Sequence, residues 1–333
     1  MSENRPDRPD ETVRGPDLST VANKLRHLKA QVGQVIIGQD TVLEQMMITL
    51  LCGGHALLEG VPGTAKTLAV RALAMGLSCE AKRVQFTPDL MPSDIIGTNV
   101  FSLATNEFTL HRGPIFTDLL LGDEINRAPA KTQSALLEGM SERHATIDGV
   151  RYQLSPIFTV FATQNPIEFE GTYPLPEAQQ DRFLLKIKVD YPGEDAELAI
   201  LQAFDRGDPP DRLAPGTITP VFDTPGLVQA RTSLAQARIE PNVMKYVLTI
   251  VRSTREHDSI LVGAGPRGSI YLLTTSKARA VMQGRSYVTP DDVVAMALPV
   301  LGHRITLTAD AEIQGATVAE TLQSILDGIE VPR

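Results

Sequence analysis

The segment Gly60-Val61-Pro62-Gly63-Thr64-Ala65-Lys66-Thr67 constrains this chain more than any other. It closes an apolar pair, Leu57-Leu58, and opens a run of helix formers from Leu68 to Ala74. A strand, a glycine-rich loop and then a helix is the context that a phosphate-binding loop requires. Turned backbone N–H groups and the positive end of the following helix converge on one spot, so a polyphosphate is held there without a buried cation. Lys66 is placed to reach the β- and γ-phosphates, and the Thr67 hydroxyl to ligate Mg²⁺. Ala65 stands where a glycine usually precedes the lysine, and its methyl group is a small intrusion.

A second signal lies downstream. Leu119-Leu120-Leu121-Gly122-Asp123-Glu124 reads as a short buried strand ending in two carboxylates. Asp123 is expected to hold the Mg²⁺ water shell opposite Thr67, and Glu124 to orient and deprotonate an attacking water. Alone, such a pair is ordinarily a solvated strand end; coupled to the loop at Gly60 it is the second half of a nucleotide hydrolase. Phe161-Ala162-Thr163-Gln164-Asn165-Pro166 puts polar side chains at the tip of another buried strand. In a parallel sheet that tip lies at the carboxyl edge, beside the phosphate loop, where Asn165 is a candidate to bond the γ-phosphate or the water.

Two arginines complete the candidates. Arg182 precedes the last predicted strand; facing outward, it suits bidentate phosphate contact and, reaching a neighbouring subunit's nucleotide, would act as an arginine finger. Arg267, in Gly265-Pro266-Arg267-Gly268-Ser269, starts a helix from which it is expected to bend back over the bound phosphates. Apolar residues just ahead of a phosphate loop wall an adenine, which adds Ile37 and Gly38 to the candidate nucleotide contacts. Gly263 to Gly268 also matches the dinucleotide fingerprint formally. Pro266 removes an N–H from that turn, and no strand ending in an acidic residue follows at the required spacing.

At 333 residues, 42% hydrophobic and 21% charged, the chain has apolar content for about two domains. Its apolar runs stop well short of the roughly 20 residues of a membrane span, and Met1 to Thr20 is polar, so a cytoplasmic address is expected. Cys52 and Cys79 form no Cys-x-x-Cys pair, and the six histidines show no metal-binding spacing. A net charge of −9 spread along the chain, with no tryptophan, disfavours nucleic acid as a partner.

Residues 1–17 mix Pro, Asp, Glu and Arg without periodicity and predict a flexible tail. Predicted strands at 83–86, 119–123, 157–163 and 183–189 alternate with helical sequence, the pattern of a three-layer α/β domain over 18–190. Stretches 99–112 and 145–154 read as β-hairpins inserted into it, the second with Asp148-Gly149 at its tip. After Asp190-Tyr191-Pro192-Gly193 no strong strand pattern appears, and amphipathic helices predict a small all-helical lid over 191–333.

Gly60–Thr67, Gln85–Asp94, Asp123–Pro129, Lys131–Glu138 and Gly171–Gln179 together strongly resemble the MoxR family of AAA+ ATPases, a likeness running from about Val35 to Arg304. In that family alanine is usual where Ala65 stands. The resemblance implies a P-loop sheet domain whose hairpins are the helix-2 and pre-sensor-1 inserts. It also implies ATP and Mg²⁺ as ligands, Asn165 as sensor 1, Arg182 as arginine finger and Arg267 as sensor 2. The turn departs from the family at Gly265 and Gly268, where Ser and Ala are commoner. The expected assembly is a ring, of six subunits, with chaperone-like maturation or remodelling of client proteins alongside partners carrying von Willebrand factor A domains. Motors of the same clade acting on nucleic acid, or serving a magnesium chelatase, are the alternatives.

Overall fold

Alternate residues of the buried strands point into two different cores. On β1 (Ala56–Glu59), Ala56 and Leu58 join one cluster of apolar side chains, and Leu57 joins the other. The same alternation splits Leu119 and Leu121 from Leu120, and Phe161 from Val160 and Ala162. A strand buried on both faces reads as a continuous apolar run, which is why these segments were legible as interior strands of a parallel sheet. The computed structural model describes residues 17–332 apart from 62, 104–105, 167–170, 208–212 and 215. All of the expected tail except Asp17 lies outside the described residues.

Helices α1 (Leu18–Val35) and α2 (Asp40–Cys52) precede β1, which is followed by α3 (Lys66–Gly76) and β2 (Ala81–Gln85). A short α4 (Pro92–Ile96) leads into the hairpin β3 (Gly97–Ser102) and β4 (Glu107–Arg112). Next come β5 (Leu119–Asp123), α5 (Ala130–Glu142) and a second hairpin, β6 (His144–Ile147) with β7 (Val150–Gln153). Strand β8 (Thr159–Gln164), one turn of α6 (Glu177–Gln180) and β9 (Leu185–Lys188) complete the sheet region. The sheet order is β2-β5-β8-β1-β9, parallel throughout.

That order sets two opposite edges. Gly60, Asp123 and Asn165 leave their strands at the carboxyl edge. His55, Phe158 and Leu184 enter theirs at the amino edge, where the His55 Nδ1 accepts from the Val160 N–H at 2.9 Å and the Leu184 N–H donates to the His55 carbonyl at 2.7 Å. The second hairpin turns through Asp148 (φ 48) and Gly149 (φ 80), both left-handed, as a tight turn matched to strand twist requires. Asn99 of the first hairpin donates to Asp148 of the second at 2.7 Å, which ties the two inserts together.

The region after residue 190 holds α7 (Glu194–Asp205), α8 (Thr224–Ser233), α9 (Pro241–Glu256), β10 (Ile260–Val262), α10 (Pro266–Met282) and α11 (Pro290–Leu301). It closes with β11 (Thr306–Leu307), α12 (Ala309–Ile313) and α13 (Val318–Gly328). The lid is therefore not wholly helical: β10 and β11 pair antiparallel, each too short to show a periodicity. Nor is it a separate body. The larger core runs without a break from α1, α2 and α3 into α9, α10 and α11. Asp292, fully buried, takes a two-point bond from Arg285 and one from Arg279, both at 2.7 Å; Arg279 also reaches Glu44 of α2 at 3.7 Å. Among the described residues no helix is long and apolar enough to cross a membrane.

Candidate active site

The loop between β1 and α3 starts where two backbones nearly touch. A Cβ on Gly60 would lie 2.2 Å from the Val189 carbonyl oxygen, so only glycine fits between the ends of β1 and β9. Gly63, with φ +83, has nothing within 4 Å of where a side chain would project, which leaves its surroundings open to a ligand. Thr64 donates to the Val61 carbonyl at 3.0 Å; Pro62 lies outside the described residues. Ala65 caps α3 with φ 58, a left-handed conformation that costs an alanine about 1 kcal/mol. Strain held in the loop just ahead of a helix marks a built feature.

Lys66 crosses the loop and donates to the carbonyls of Gly60 (2.9 Å) and Val61 (2.7 Å). Burial pulls its pKa below the ordinary lysine value, and Asp123 and Glu124 oppose that pull by attraction. Those carboxylates share the cavity, of about 590 Å³, with the loop residues Gly60 and Gly63 to Thr67. Thr163 of β8 and Asn165 just beyond it also line it, and Val35 to Ile37 with Ile200 of α7 form an apolar wall. Ile37 is thus in the cavity, whereas Gly38 packs against Pro192 and Ala196 beside it.

Three polar groups around the carboxylates escape a motif-based reading. Arg83 of β2 bonds Asp123 Oδ2 through Nε at 3.1 Å and Nη2 at 2.6 Å. Gln85, two residues on and so on the same strand face, donates to Glu124 Oε2 at 2.7 Å. Thr163 gives its hydroxyl proton to Asp123 Oδ1 at 2.6 Å and accepts the Glu124 N–H at 2.8 Å. Glu124 stands in a left-handed turn, φ 57, and also pairs with Arg127 at 3.0 Å. The carboxylates are held from both neighbouring strands, β2 and β8.

Arg182 and Arg267 are elsewhere. They line a second cleft, about 320 Å³, together with Gly53 to His55, Arg143 and Tyr271. That cleft is at the amino edge of the sheet. Arg267 does not bend over the phosphate loop; it pairs with Asp181 at 2.6 Å, because α10 packs on α1 and α2 and carries its first turn to the far edge. Among the described residues no carboxylate is within ion-pair reach of Arg182. Arg143 is a strut, donating to the carbonyls of Gly53 and Phe158.

Known proteins resemble the chain over most of its length. The profile of the ATPase family associated with various cellular activities (AAA) matches residues 55–185, and that of the AAA lid domain matches 252–325. Chaperone MoxR1 of Mycobacterium tuberculosis (strain ATCC 25618 / H37Rv) is 39% identical across 95% of this chain and 84% of its own length. The chain belongs to the MoxR family of AAA+ ATPases. The uncharacterized protein YeaC of Bacillus subtilis (strain 168) is 41% identical over 90% of this chain and 92% of that protein. A crystal structure from Cytophaga hutchinsonii superposes with a TM-score of 0.86 at 37% identity, covering 95% of this chain and 97% of that one. Membership makes the chain an ATPase, with the three-layer α/β domain and lid of that family.

Proposed function

We propose that this MoxR-family ATPase hydrolyses ATP with Mg²⁺ in a ring, of six subunits, at sites shared between neighbours, and that turnover remodels client proteins. The observation that carries the shared site is the position of Arg182 and Arg267. Strand β1 separates Gly53–His55 from Gly60, and its four residues at roughly 3.3 Å each span about 13 Å. Neither arginine serves the phosphates of its own chain from there. Each is available to the nucleotide of a neighbour whose carboxyl-edge cavity faces this amino-edge cleft.

Thr67 and Asp123 offer one hydroxyl and one carboxylate to a cavity that admits polyphosphate. Mg²⁺ favours few protein ligands, retained water and phosphate oxygens, so this donor set fits it. Held by Thr67 and Asp123, the ion would supply positive charge that offsets the charge developing on the phosphates. Glu124, fixed by Gln85, accepts the proton of the attacking water. Lys66 exchanges its two loop carbonyls for phosphate oxygens, and Asn165 holds the γ-phosphate or the water. The neighbour's Arg182 stabilises charge on the transferred group.

The client reading is supported by the first hairpin, where the Phe101 and Phe108 rings meet across the strands, tilted, at 5.2 Å while 44% and 73% exposed. Leu103 beside them is 90% exposed. An apolar tip suits a polypeptide better than a nucleic-acid backbone. A companion protein with a von Willebrand factor A domain would present the client.

The test is the ATPase rate per subunit against protein concentration, for wild type and Arg182→Ala. The shared site predicts a wild-type rate that climbs with concentration and a variant rate near zero. A concentration-independent rate that the variant keeps would overturn it.

A further inference from the structure

The finger segment is not held by the sheet domain alone; it is gripped by the lid. Arg304, just before β11, is 8% exposed, and its guanidinium stacks on the Tyr271 ring with 5.0 Å to the centroid. A guanidinium has five N–H donors, and here they reach five oxygens. Nε donates to Asp181 Oδ1 at 2.8 Å, and Nη2 to the carbonyls of Asp181 at 3.0 Å and Phe183 at 2.5 Å. Nη1 reaches the Leu184 carbonyl at 3.5 Å and also the Val300 carbonyl. The neighbouring His303 ring adds a bond to the Phe183 carbonyl at 3.1 Å, and Thr306 donates to Glu177 at 2.7 Å.

The backbone is therefore anchored to the lid on both sides of residue 182. Phe183 is fully buried beneath and the buried Leu184 is an apolar part of the lining of the amino-edge cleft, where Arg182 is the charged side chain this stretch supplies. Asp181 does double work. Its Oδ1 is bound by the buried Arg304, and its Oδ2 by Arg267 at 2.6 Å, at the start of α10. One carboxylate thus sets the spacing between Arg182 and Arg267 across the cleft.

We propose that Asp181 and Arg304 are positioning residues for hydrolysis at the next subunit's site. Together they form a clasp that converts lid position into finger position, with Asp181 presenting Arg267 beside Arg182. Neither touches the nucleotide. Arg304 uses its donors on protein oxygens, and the Asp181 carboxylate would repel phosphate. A planar fork is what the site requires: lysine, a point charge with three donors, cannot bridge residues 181, 183 and 184 at once. The inference rests on the finger role of Arg182.

The experiment uses mixtures of full-length chains, each inactive alone. Glu124→Gln donates an intact finger, and Arg182→Ala supplies an intact receiving site, so their mixture regains ATPase activity if fingers act in trans. Asp181→Asn, nearly isosteric and partly exposed, is then added to one chain at a time. On the finger donor it is expected to cut the regained rate at least about tenfold, the scale of a small misplacement of a reacting group. On the receiving chain it should change the rate little, and thermal melting and ATP affinity should stay as in the parents. Arg304→Lys on the donor should behave as Asp181→Asn does. Equal losses on donor and receiver would reduce the clasp to a folding element and overturn the proposal. A donor carrying Asp181→Asn that restores the full rate would also overturn it. A parent mixture that stays inactive would overturn the finger reading first, and the clasp with it.

Discussion

The cavity at the carboxyl edge and the cleft at the amino edge differ in what holds their charges. In the cavity the charged groups hold protein partners: Lys66 sits on loop carbonyls, Asp123 is bonded by Arg83, and Glu124 pairs with Arg127. In the cleft Arg143 is bonded to two backbone carbonyls and Arg267 is paired with Asp181, while among the described residues Arg182 has no carboxylate within ion-pair reach. On the proposed function, the first region exchanges ligands and the second aims one side chain. A local motif encodes the first; the second exists only once the lid has packed against the sheet domain.

Substitutions should separate the two. The largest effect is expected for Arg182→Ala, which should lower turnover by about 10³-fold or more, the usual contribution of an arginine finger. Its own ATP affinity should be unchanged, and a variant that loses ATP binding would place Arg182 with the cavity. Glu124→Gln should slow hydrolysis by roughly 10²- to 10⁴-fold while ATP stays bound, as read in single-turnover and equilibrium binding experiments. Prompt hydrolysis by that variant would remove Glu124 as base. Arg83→Ala frees Asp123 Oδ2, so half-maximal activity should need several-fold less Mg²⁺; a rise in the requirement would mean that Arg83 serves the nucleotide itself.

Acid stability probes the floor of the arginine cleft. His55 accepts from Val160 at Nδ1 and donates from Nε2 to the Met140 carbonyl at 3.1 Å, so it is held neutral. Burial and, next, the Arg143 charge push its pKa from 6.5 down to about 3. The unfolded chain then binds the extra proton, so the stabilisation is complete above pH 6.5 and is lost as pH falls towards 3. Urea midpoints should decline from about pH 6.5 downward with a slope near 1.4 kcal/mol per unit for this one group, and a flat profile from 6.5 to 5 would contradict it. The smallest effect is expected for Ala65→Gly. Relief of the left-handed strain and the added chain entropy nearly cancel, leaving a gain of no more than about 1 kcal/mol in thermal unfolding.

What could be read in advance follows the same division. The phosphate loop, the Asp123-Glu124 strand end and the Asp148-Gly149 turn are local, and periodicity or turn chemistry exposes them. The bonds from Arg83, Gln85 and Thr163 cross from β2 and β8 to β5, and need the strand order to be known. The spacing of Arg83 and Gln85 was their one visible trace. Arg267 was expected over its own chain's phosphates because helix starts commonly serve phosphates. The shared core of α1, α2 and α10 overrode that, and neither it nor the grip of Arg304 on residues 181–184 leaves a short-range pattern.

The measurement that bears most directly on the shared site is the ATPase rate of a mixture of Glu124→Gln and Arg182→Ala chains, each inactive alone. If the two clefts meet across a subunit boundary, mixing restores a substantial part of the wild-type rate, because some boundaries pair an intact cavity with an intact finger. A mixture as inactive as its components would show that Arg182 and Glu124 must belong to one chain, and the shared site would fall.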